Sequence, residues 1–248
     1  MTKTGKVRLD QKLVQLGLAP SRTKAEGMIM AGQVKVDGKM IDKAGYFVSD
    51  DASIDVIAPP PYVSRGGEKL ASVAEKLELD FKDKVVLDVG SSTGGFTDYV
   101  LQHGAAKVYA VDVGTGQLYY SLRVNPRVVV MERTDIRDVH NLPEPIDTVL
   151  IDVSFISLRL VLPAVARLVS LSTVVVAMAK PHFEADYKTA SKHKGVIKND
   201  TIRREILKNV ELFMKQNFVI RAKADSQVLG RKGNKERFYL LKLRRSNR

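Results

Sequence analysis

Apolar residues follow two different rhythms on either side of residue 60. Before it, Leu9, Leu13, Leu16 and Leu18 put an apolar face on a first helix, with Asp10 near its start. Ser21 has the short polar side chain of an N-cap. It predicts a second helix over 22–31 with Ala25, Met28 and Ile29 on its inner face, stopped by Gly32. Alternation then takes over. Gln33-Val-Lys-Val-Asp-Gly-Lys-Met-Ile41 reads as two short strands around an Asp-Gly hairpin turn, and Asp55-Val-Ile57 as a last strand. After residue 60, buried runs alternate with helical periodicity. The pattern predicts strands at 85–89, 107–112, 128–131, 147–153, 173–179, 218–227 and 237–243, and helices at 67–79, 95–103, 158–169 and 201–216. With no helix between them, the last two strands predict an antiparallel hairpin at the edge of an otherwise parallel α/β sheet. The expected organisation is a small α+β module at 1–58, a linker at 59–66 stiffened by Pro59-Pro60-Pro61, and a large α/β domain at 67–248.

Composition narrows the class. In 248 residues, 44% hydrophobic content suffices for a real core. No apolar run approaches the ~20 residues that span a bilayer, and the first residues lack a signal peptide's apolar stretch, so the expected location is the cytoplasm. The absence of cysteine excludes disulfides, thiolate metal sites and thiol nucleophiles, and the four histidines have no metal-ligand spacing, so no metal is expected. Charge is uneven. Residues 221–248 hold ten Lys/Arg against two acids, which is +8 of the total +12, and 180–198 holds five Lys against Glu184 and Asp186. Such clustering suits a polyanion crossing the face that bears these loops, with a solvated basic surface as the plainer alternative.

Candidate chemistry gathers where strands end. Val85-Val-Leu-Asp-Val-Gly-Ser-Ser-Thr-Gly-Gly-Phe-Thr97 is a buried strand, a glycine-bearing turn and the start of a helix. Gly90, Gly94 and Gly95 allow a sharp turn and close approach to a ligand. Asp112 ends the next strand 22 residues past Gly90, where a nucleoside-binding acid meets ribose hydroxyls. The spacing Gly-x-x-x-Gly-Gly lacks the form of a pyrophosphate cradle, and an adenosine without phosphates fits it better; S-adenosylmethionine is the common one. In a parallel sheet, ligands bind at the carboxyl ends of the strands. The polar residues there are Asp88 to Thr97, Asp112, Asp135, Asp152 and Lys180. Asp152 and Lys180 follow apolar strand residues, where a charge is costly unless paired or used. They read either as part of a reaction centre or as an ion pair that closes the strand ends. Methyl transfer to a ribose 2′-hydroxyl suits such groups, because the acceptor must lose its proton and a lysine can assist.

Two resemblances sharpen this. Arg8-Leu-Asp-Gln-Lys-Leu-Val, Ser21-Arg-Thr-Lys-Ala-Glu and Gly32-Gln-Val-Lys-Val-Asp-Gly38 resemble the RNA-binding domain named after ribosomal protein S-four. Arg8, Arg22, Lys24, Lys35 and Lys39 match its basic positions. Tyr62-Val-Ser-Arg-Gly-Gly-Glu-Lys-Leu, Leu87-Asp-Val-Gly-Ser-Ser-Thr-Gly-Gly-Phe-Thr-Asp, Ile151-Asp-Val-Ser-Phe and Lys180-Pro-His-Phe-Glu resemble the TlyA family, also labelled haemolysin A. With the small domain, that resemblance spans essentially the whole chain. It implies a Rossmann-like, FtsJ-type S-adenosylmethionine-dependent methyltransferase fold behind an RNA-binding domain, and 2′-O-methylation of ribosomal RNA on ribosomal subunits. It also implies a Lys-Asp-Lys-Glu catalytic set, which falls on Lys69, Asp152, Lys180 and Glu236. The cofactor set is Asp88, Gly90, Ser91, Ser92, Thr93, Gly94, Gly95, Phe96, Asp112 for the ribose and Asp135 for the adenine amino group, with Asp138 the neighbouring alternative. Arg65, Arg231, Lys232 and Lys235 are the expected phosphate contacts of the large domain, although Arg65 would equally cap the linker. The competing readings are a membrane-active haemolysin, a non-catalytic RNA-binding assembly factor and a pseudouridine synthase. No export signal, spanning segment or long amphipathic basic helix favours the first, and the cofactor turn argues against the last.

Overall fold

A computed structural model describes residues 6–30, 32–43, 45–58, 60–230 and 233–245. The chain forms two compact units, Met1–Pro60 and Pro61–Arg248. Pro59, Ala31, Arg231 and Lys232 lie outside the described residues.

The first unit contains β1 (Val7–Arg8), α1 (Leu9–Gln15), α2 (Arg22–Met30), β2 (Val34–Val36), β3 (Lys39–Ile41), β4 (Phe47–Val48) and β5 (Ile54–Val56). Strands β3, β2 and β5 form an antiparallel sheet, with β2 in the centre, and β1 pairs separately with β4. Asp37 and Gly38 both have positive φ, 49° and 76°, as a tight hairpin turn requires. Leu9, Leu13, Ala25, Ile29, Val34 and Val48 are buried together. The first helix is shorter than its leucine spacing predicts. The chain turns left-handed at Gly17, the Leu18 and Ala19 N–H groups donate back to the Leu13 carbonyl, and Leu16 is left 51% exposed.

The second unit contains α3 (Arg65–Ala74), β6 (Val85–Val89), α4 (Gly95–Gln102), β7 (Lys107–Val111), α5 (Tyr120–Arg123), β8 (Val128–Met131), β9 (Thr148–Ile151), α6 (Leu158–Leu168), β10 (Val174–Ala179), α7 (Pro181–Glu184), α8 (Tyr187–Lys192), α9 (Asp200–Asn217), β11 (Phe218–Asp225) and β12 (Arg237–Leu243). The seven strands lie in the order β11-β12-β10-β9-β6-β7-β8. Five are parallel; β12 is antiparallel to both β10 and the edge strand β11. One sheet face packs Leu158, Val161, Leu162 and Val165 of α6 with Leu207, Val210 and Met214 of α9. The other packs Leu70 and Val73 of α3 with Phe96, Val100 and Leu101 of α4. Helix α3 starts two residues earlier than the periodicity predicts because Ser64 caps it, accepting from the Gly66 N–H. It also ends earlier, at Ala74, and the turns that follow it reach a φ of 51° at Glu78. Among the described residues no helix is long and apolar enough to cross a membrane.

Candidate active site

The parallel register brings the ends of β6, β7, β9 and β10 to one rim. Val89 lies opposite both Val111 and Ile151, so Gly90, Asp112 and Asp152 leave the sheet side by side. Gly90 has a φ of 85°, and a Cβ there would sit 2.6 Å from the Asp152 carbonyl oxygen. Only glycine lets these two chain exits pass so closely. Asp88, one strand residue earlier on the inner side, is fully buried. Its Oδ2 accepts from the Thr97 N–H at 3.0 Å and the Thr97 hydroxyl at 2.6 Å, while its Oδ1 is buried without a partner. Burial pushes its pKa up to about 7; the Thr97 bonds oppose that rise and the nearby Asp152 and Asp112 charges add to it.

Two adjoining clefts open on this rim, sharing Gly90, Ser92, Asp152 and Ser154. The outer one, about 310 Å³, runs over β7 and β8 and is lined by Val111, Asp112, Gln117, Asp135, Ile136 and Phe155 among others. Asp112 accepts from the Ser92 N–H at 2.8 Å and the Gly114 N–H at 2.7 Å, which fixes its carboxylate at the cleft wall. Asp135 is bound side-on by Arg137, whose nitrogens lie 2.6–3.0 Å away and hold its pKa below the usual carboxylate range. Asp135 lines the cleft and Asp138 does not. Two residues that the sequence analysis did not single out shape the same wall. Gln117 accepts from the Ser92 hydroxyl, and Glu132 accepts the N–H groups of Gly116, Gln117 and Leu118 together with Arg123. Glu132 thereby pins the loop carrying Gln117, and those bonds hold its pKa down at about 2, with Arg123 the largest influence.

The inner cleft, about 150 Å³, is lined by Ser64, Gly66, Lys69, Asp88, Ser91, Thr93, Gly95, Phe96 and Lys180 besides the shared residues. Two lysine–carboxylate pairs stand here. Lys69 Nζ is 2.6 Å from Glu236 Oε2, and Lys180 Nζ is 2.6 Å from Asp152 Oδ1. Lys180 also donates to Ser154 Oγ at 2.8 Å. Lys69, Asp152, Lys180 and Glu236 thus come together from four elements far apart in sequence. The register explains one approach: Ala179 pairs with Arg237, so Lys180 follows β10 as Glu236 precedes β12. His182 was not anticipated. Its Nδ1 is buried without a partner, and burial, then the charges of Lys180 and Lys69, push its pKa down to about 4.

Some expected positions lie elsewhere. Gly94 lines neither cleft; a Cβ there would strike Leu122 and Leu118, so its place is in packing the loop. Phe96 borders the inner cleft but is buried, its ring 6.0 Å from that of Phe238. Arg65 donates to the Leu229 carbonyl, which ties the first turn of α3 to the β11–β12 loop. In the first unit, Arg8 and Arg22 both bind the fully buried Asp10 carboxylate, at 2.7 and 2.9 Å, and both approach Glu26. Lys24 and Lys39 are exposed and Lys35 is half-buried. Lys235 is exposed on the loop before Glu236. Among the described residues, the basic carboxyl-terminal stretch is not one patch, which corrects the expectation of a single face. Arg237 is held by Asp225 and Lys223 by Glu211, whereas Arg221, Lys242, Arg244 and Arg245 sit at the far end of the sheet.

Comparison with known proteins yields concordant matches. A family model described as FtsJ-like methyltransferase matches residues 62–244, and one described as S4 domain matches residues 7–54. The provisionally named rRNA methyltransferase YqxC of Bacillus subtilis (strain 168) is 42% identical over 239 residues, covering 93% of this chain and 84% of the relative. The 16S/23S rRNA (cytidine-2'-O)-methyltransferase TlyA of Mycobacterium tuberculosis (strain ATCC 25618 / H37Rv) is 44% identical over 185 residues, covering 72% of this chain and 68% of the relative. The solved structure of a provisionally named hemolysin from Streptococcus thermophilus superposes with a TM-score of 0.73 at 36% identity, covering 98% of this chain and 90% of that one.

Proposed function

The chain belongs to the FtsJ-like methyltransferase family, and from that premise we propose that it is an S-adenosylmethionine-dependent 2′-O-ribose methyltransferase of ribosomal RNA. The observation that carries this reading is the pair of lysine–carboxylate contacts, Lys69–Glu236 and Lys180–Asp152, beside a groove sized for a nucleoside. The S4 domain match and the rRNA methyltransferase relatives support the choice of RNA. Ribosomal subunits are then the substrate, and the cytoplasm is where the protein meets them.

The residues present fit the cofactor. The groove of about 310 Å³ takes an adenosine, and the unpartnered Asp88 Oδ1 is an acceptor without a donor at the inner cleft. In this reading Asp88 receives the cofactor's ammonium group, Asp112 the ribose hydroxyls, and the backbone from Gly90 to Thr93 the methionine portion. Asp135 accepts from the adenine amino group with the lone pairs that Arg137 leaves free. The bound cofactor supplies a methyl group on a sulfonium, an activated donor for in-line displacement. Everything else falls to the acceptor side. Asp152 and Ser154 fix the Lys180 side chain at the cleft, where it assists loss of the proton of the 2′-hydroxyl. Lys69, backed by Glu236, places a second positive group beside the oxygen as it gains negative charge. In the first unit, the buried Asp10 would hold the Arg8 and Arg22 forks in fixed orientations for RNA phosphates, with Lys24, Lys35 and Lys39 beside them. On the large unit, Lys235, next to Glu236, and Arg65, between Ser64 and Gly66 of the inner cleft, would be the corresponding phosphate contacts.

Incubating isolated ribosomal subunits with tritiated S-adenosylmethionine tests the reading. The label is expected in an alkali-resistant dinucleotide, the mark of a blocked 2′-oxygen. Label on a base, or none in RNA from either subunit, overturns it.

A further inference from the structure

The edge strand β11 carries a bulge. Ile220 pairs with Leu241 and Ala222 with Leu240, which leaves Arg221 as the extra residue. Bulges at sheet edges re-aim a side chain, and here Arg221 is directed to a hollow of about 550 Å³ at the lower end of the sheet. Val174, Val219 and Leu240 help form its floor, and Arg221, Lys242, Arg244 and Arg245 form its rim. Strand β12 runs from beside the inner cleft to this rim. Its seven residues, at about 3.3 Å each, put the two sites roughly 20 Å apart.

The four rim cations differ from their neighbours in one respect. Arg203 and Arg237 share Asp225, and Lys223 has Glu211. Among the described residues, none of the four rim cations has a carboxylate partner. Lys242 donates to the Ser172 carbonyl and Arg244 to the Lys215 carbonyl, bonds that orient both side chains without neutralising them. Burial, and then the charge of Arg221, depress the Lys242 pKa, so like charges face one another here uncompensated. The adjoining hollow, which shares Val174 and Leu240, carries Glu78, Asp80 and Asp147 with Lys84 and bounds the basic strip on that side.

We propose that this rim binds the phosphate backbone of the RNA substrate at a segment away from the methylated ribose, as a second contact of the methyltransferase unit. The inference rests on the proposed activity toward ribosomal RNA. It makes the edge bulge a device for placing a cation, and it divides the unit's work between a catalytic end and a holding end.

The test is the full-length triple variant Arg221→Gln/Arg244→Gln/Arg245→Gln, compared with Arg221→Lys/Arg244→Lys/Arg245→Lys. Binding to protein-free ribosomal RNA is measured across a salt series, and S-adenosylmethionine affinity serves as the folding control. The glutamine variant should bind RNA at least tenfold more weakly, with a salt dependence shallower by roughly 0.7–0.9 for each phosphate no longer neutralised. The lysine variant should keep most of the wild-type slope, and cofactor affinity should stay within twofold in both. A glutamine variant with wild-type affinity and slope overturns the proposal while leaving the methylation reading intact, provided the wild-type protein methylates subunits. A wild-type protein that neither binds nor methylates ribosomal RNA defeats both. A defect seen on intact subunits but not on protein-free RNA also overturns the proposal, because it assigns the rim to a ribosomal protein.

Discussion

Removing either lysine from the inner cleft should harm the protein in opposite proportions. The two ion pairs have the same length, 2.6 Å, but different burial. In Lys69→Ala the carboxylate left behind is Glu236, whose side chain is 3% exposed; in Lys180→Ala it is Asp152, at 19%. Leaving one member of a buried pair alone costs about 3–5 kcal/mol, and the Glu236 site meets that condition. Asp152 Oδ1 is buried like Glu236 Oε2, but the Asp152 carboxylate borders both clefts and keeps 19% exposure, so its loss should be nearer the about 1–3 kcal/mol of an unsatisfied polar group. Catalysis should rank the other way. Losing a positioned acid or base costs about 10²–10⁴ in rate, or roughly 3–5 kcal/mol of barrier. That full effect is expected for Lys180→Ala, with a smaller loss of turnover for Lys69→Ala. Urea unfolding monitored in the larger unit measures the first quantity, and tritiated methyl transfer to ribosomal subunits the second. Calorimetry should find cofactor affinity within a few fold in both variants. A Lys180→Ala protein keeping more than a tenth of wild-type turnover would refute the catalytic assignment. Equal stability losses in the two variants would refute the argument from burial.

Four further outcomes are expected. The pKa of Asp88 is about 7 in the folded chain against an ordinary 3.8, so folded protein holds a proton that the unfolded chain has released, and stability should fall as pH rises through that window. If Asp88 Oδ1 receives the cofactor ammonium, affinity should rise from pH 6 to 8 with proton release, seen as a buffer-dependent binding enthalpy, and Asp88→Asn should abolish both; a pH-independent affinity in the unmutated protein contradicts that role. Gly90→Ala would force a methyl group to within 2.6 Å of the Asp152 carbonyl at a φ of 85°, at about 1–3 kcal/mol for the backbone conformation alone. Its cofactor affinity should drop at least tenfold, and a wild-type dissociation constant would show that the loop does not meet the ligand. Deleting residues 1–58 should spare cofactor binding and remove activity on ribosomal subunits; full activity of that truncated chain would show that the small unit does not select the target.

Much of the fold was legible because its signals are local. The Asp37-Gly38 turn, the Ser21 neighbourhood and the apolar runs of β6, β8 and β12 declare themselves within a few residues. The strand-end rule then located Asp88, Asp112, Asp152 and Lys180 without any knowledge of side-chain positions. Lys69 and Glu236 had no such signal. They are 2.6 Å apart in space and 167 positions apart in the chain, and only the family resemblance joined them. Helices α5, α7 and α8 have four to six residues each, too few turns for a period to emerge. Gln117 and Glu132 escaped for a different reason: their importance lies in a loop held by backbone N–H groups, and backbone donors carry no sequence signature. His182 stood inside a recognised motif, but that its Nδ1 lacks a partner is a property of the packing around it.

The basic carboxyl-terminal stretch shows why counting charges along a chain misleads. Its +8 balance suggests one uniform polyanion surface, yet a strand displaces successive residues by about 3.3 Å and sends alternate side chains to opposite faces. Cations adjacent in sequence therefore need not share a surface. Acids from other elements subtract selectively: Asp225 takes Arg203 and Arg237, and Glu211 takes Lys223. Among the described residues, what remains effective is the unpaired remainder, Lys235 on the loop before Glu236 and the Arg221, Lys242, Arg244 and Arg245 rim at the far end. An RNA-binding surface is thus set by which cations the fold leaves without a carboxylate. The salt dependence of binding should count those cations and not the ten that the sequence supplies.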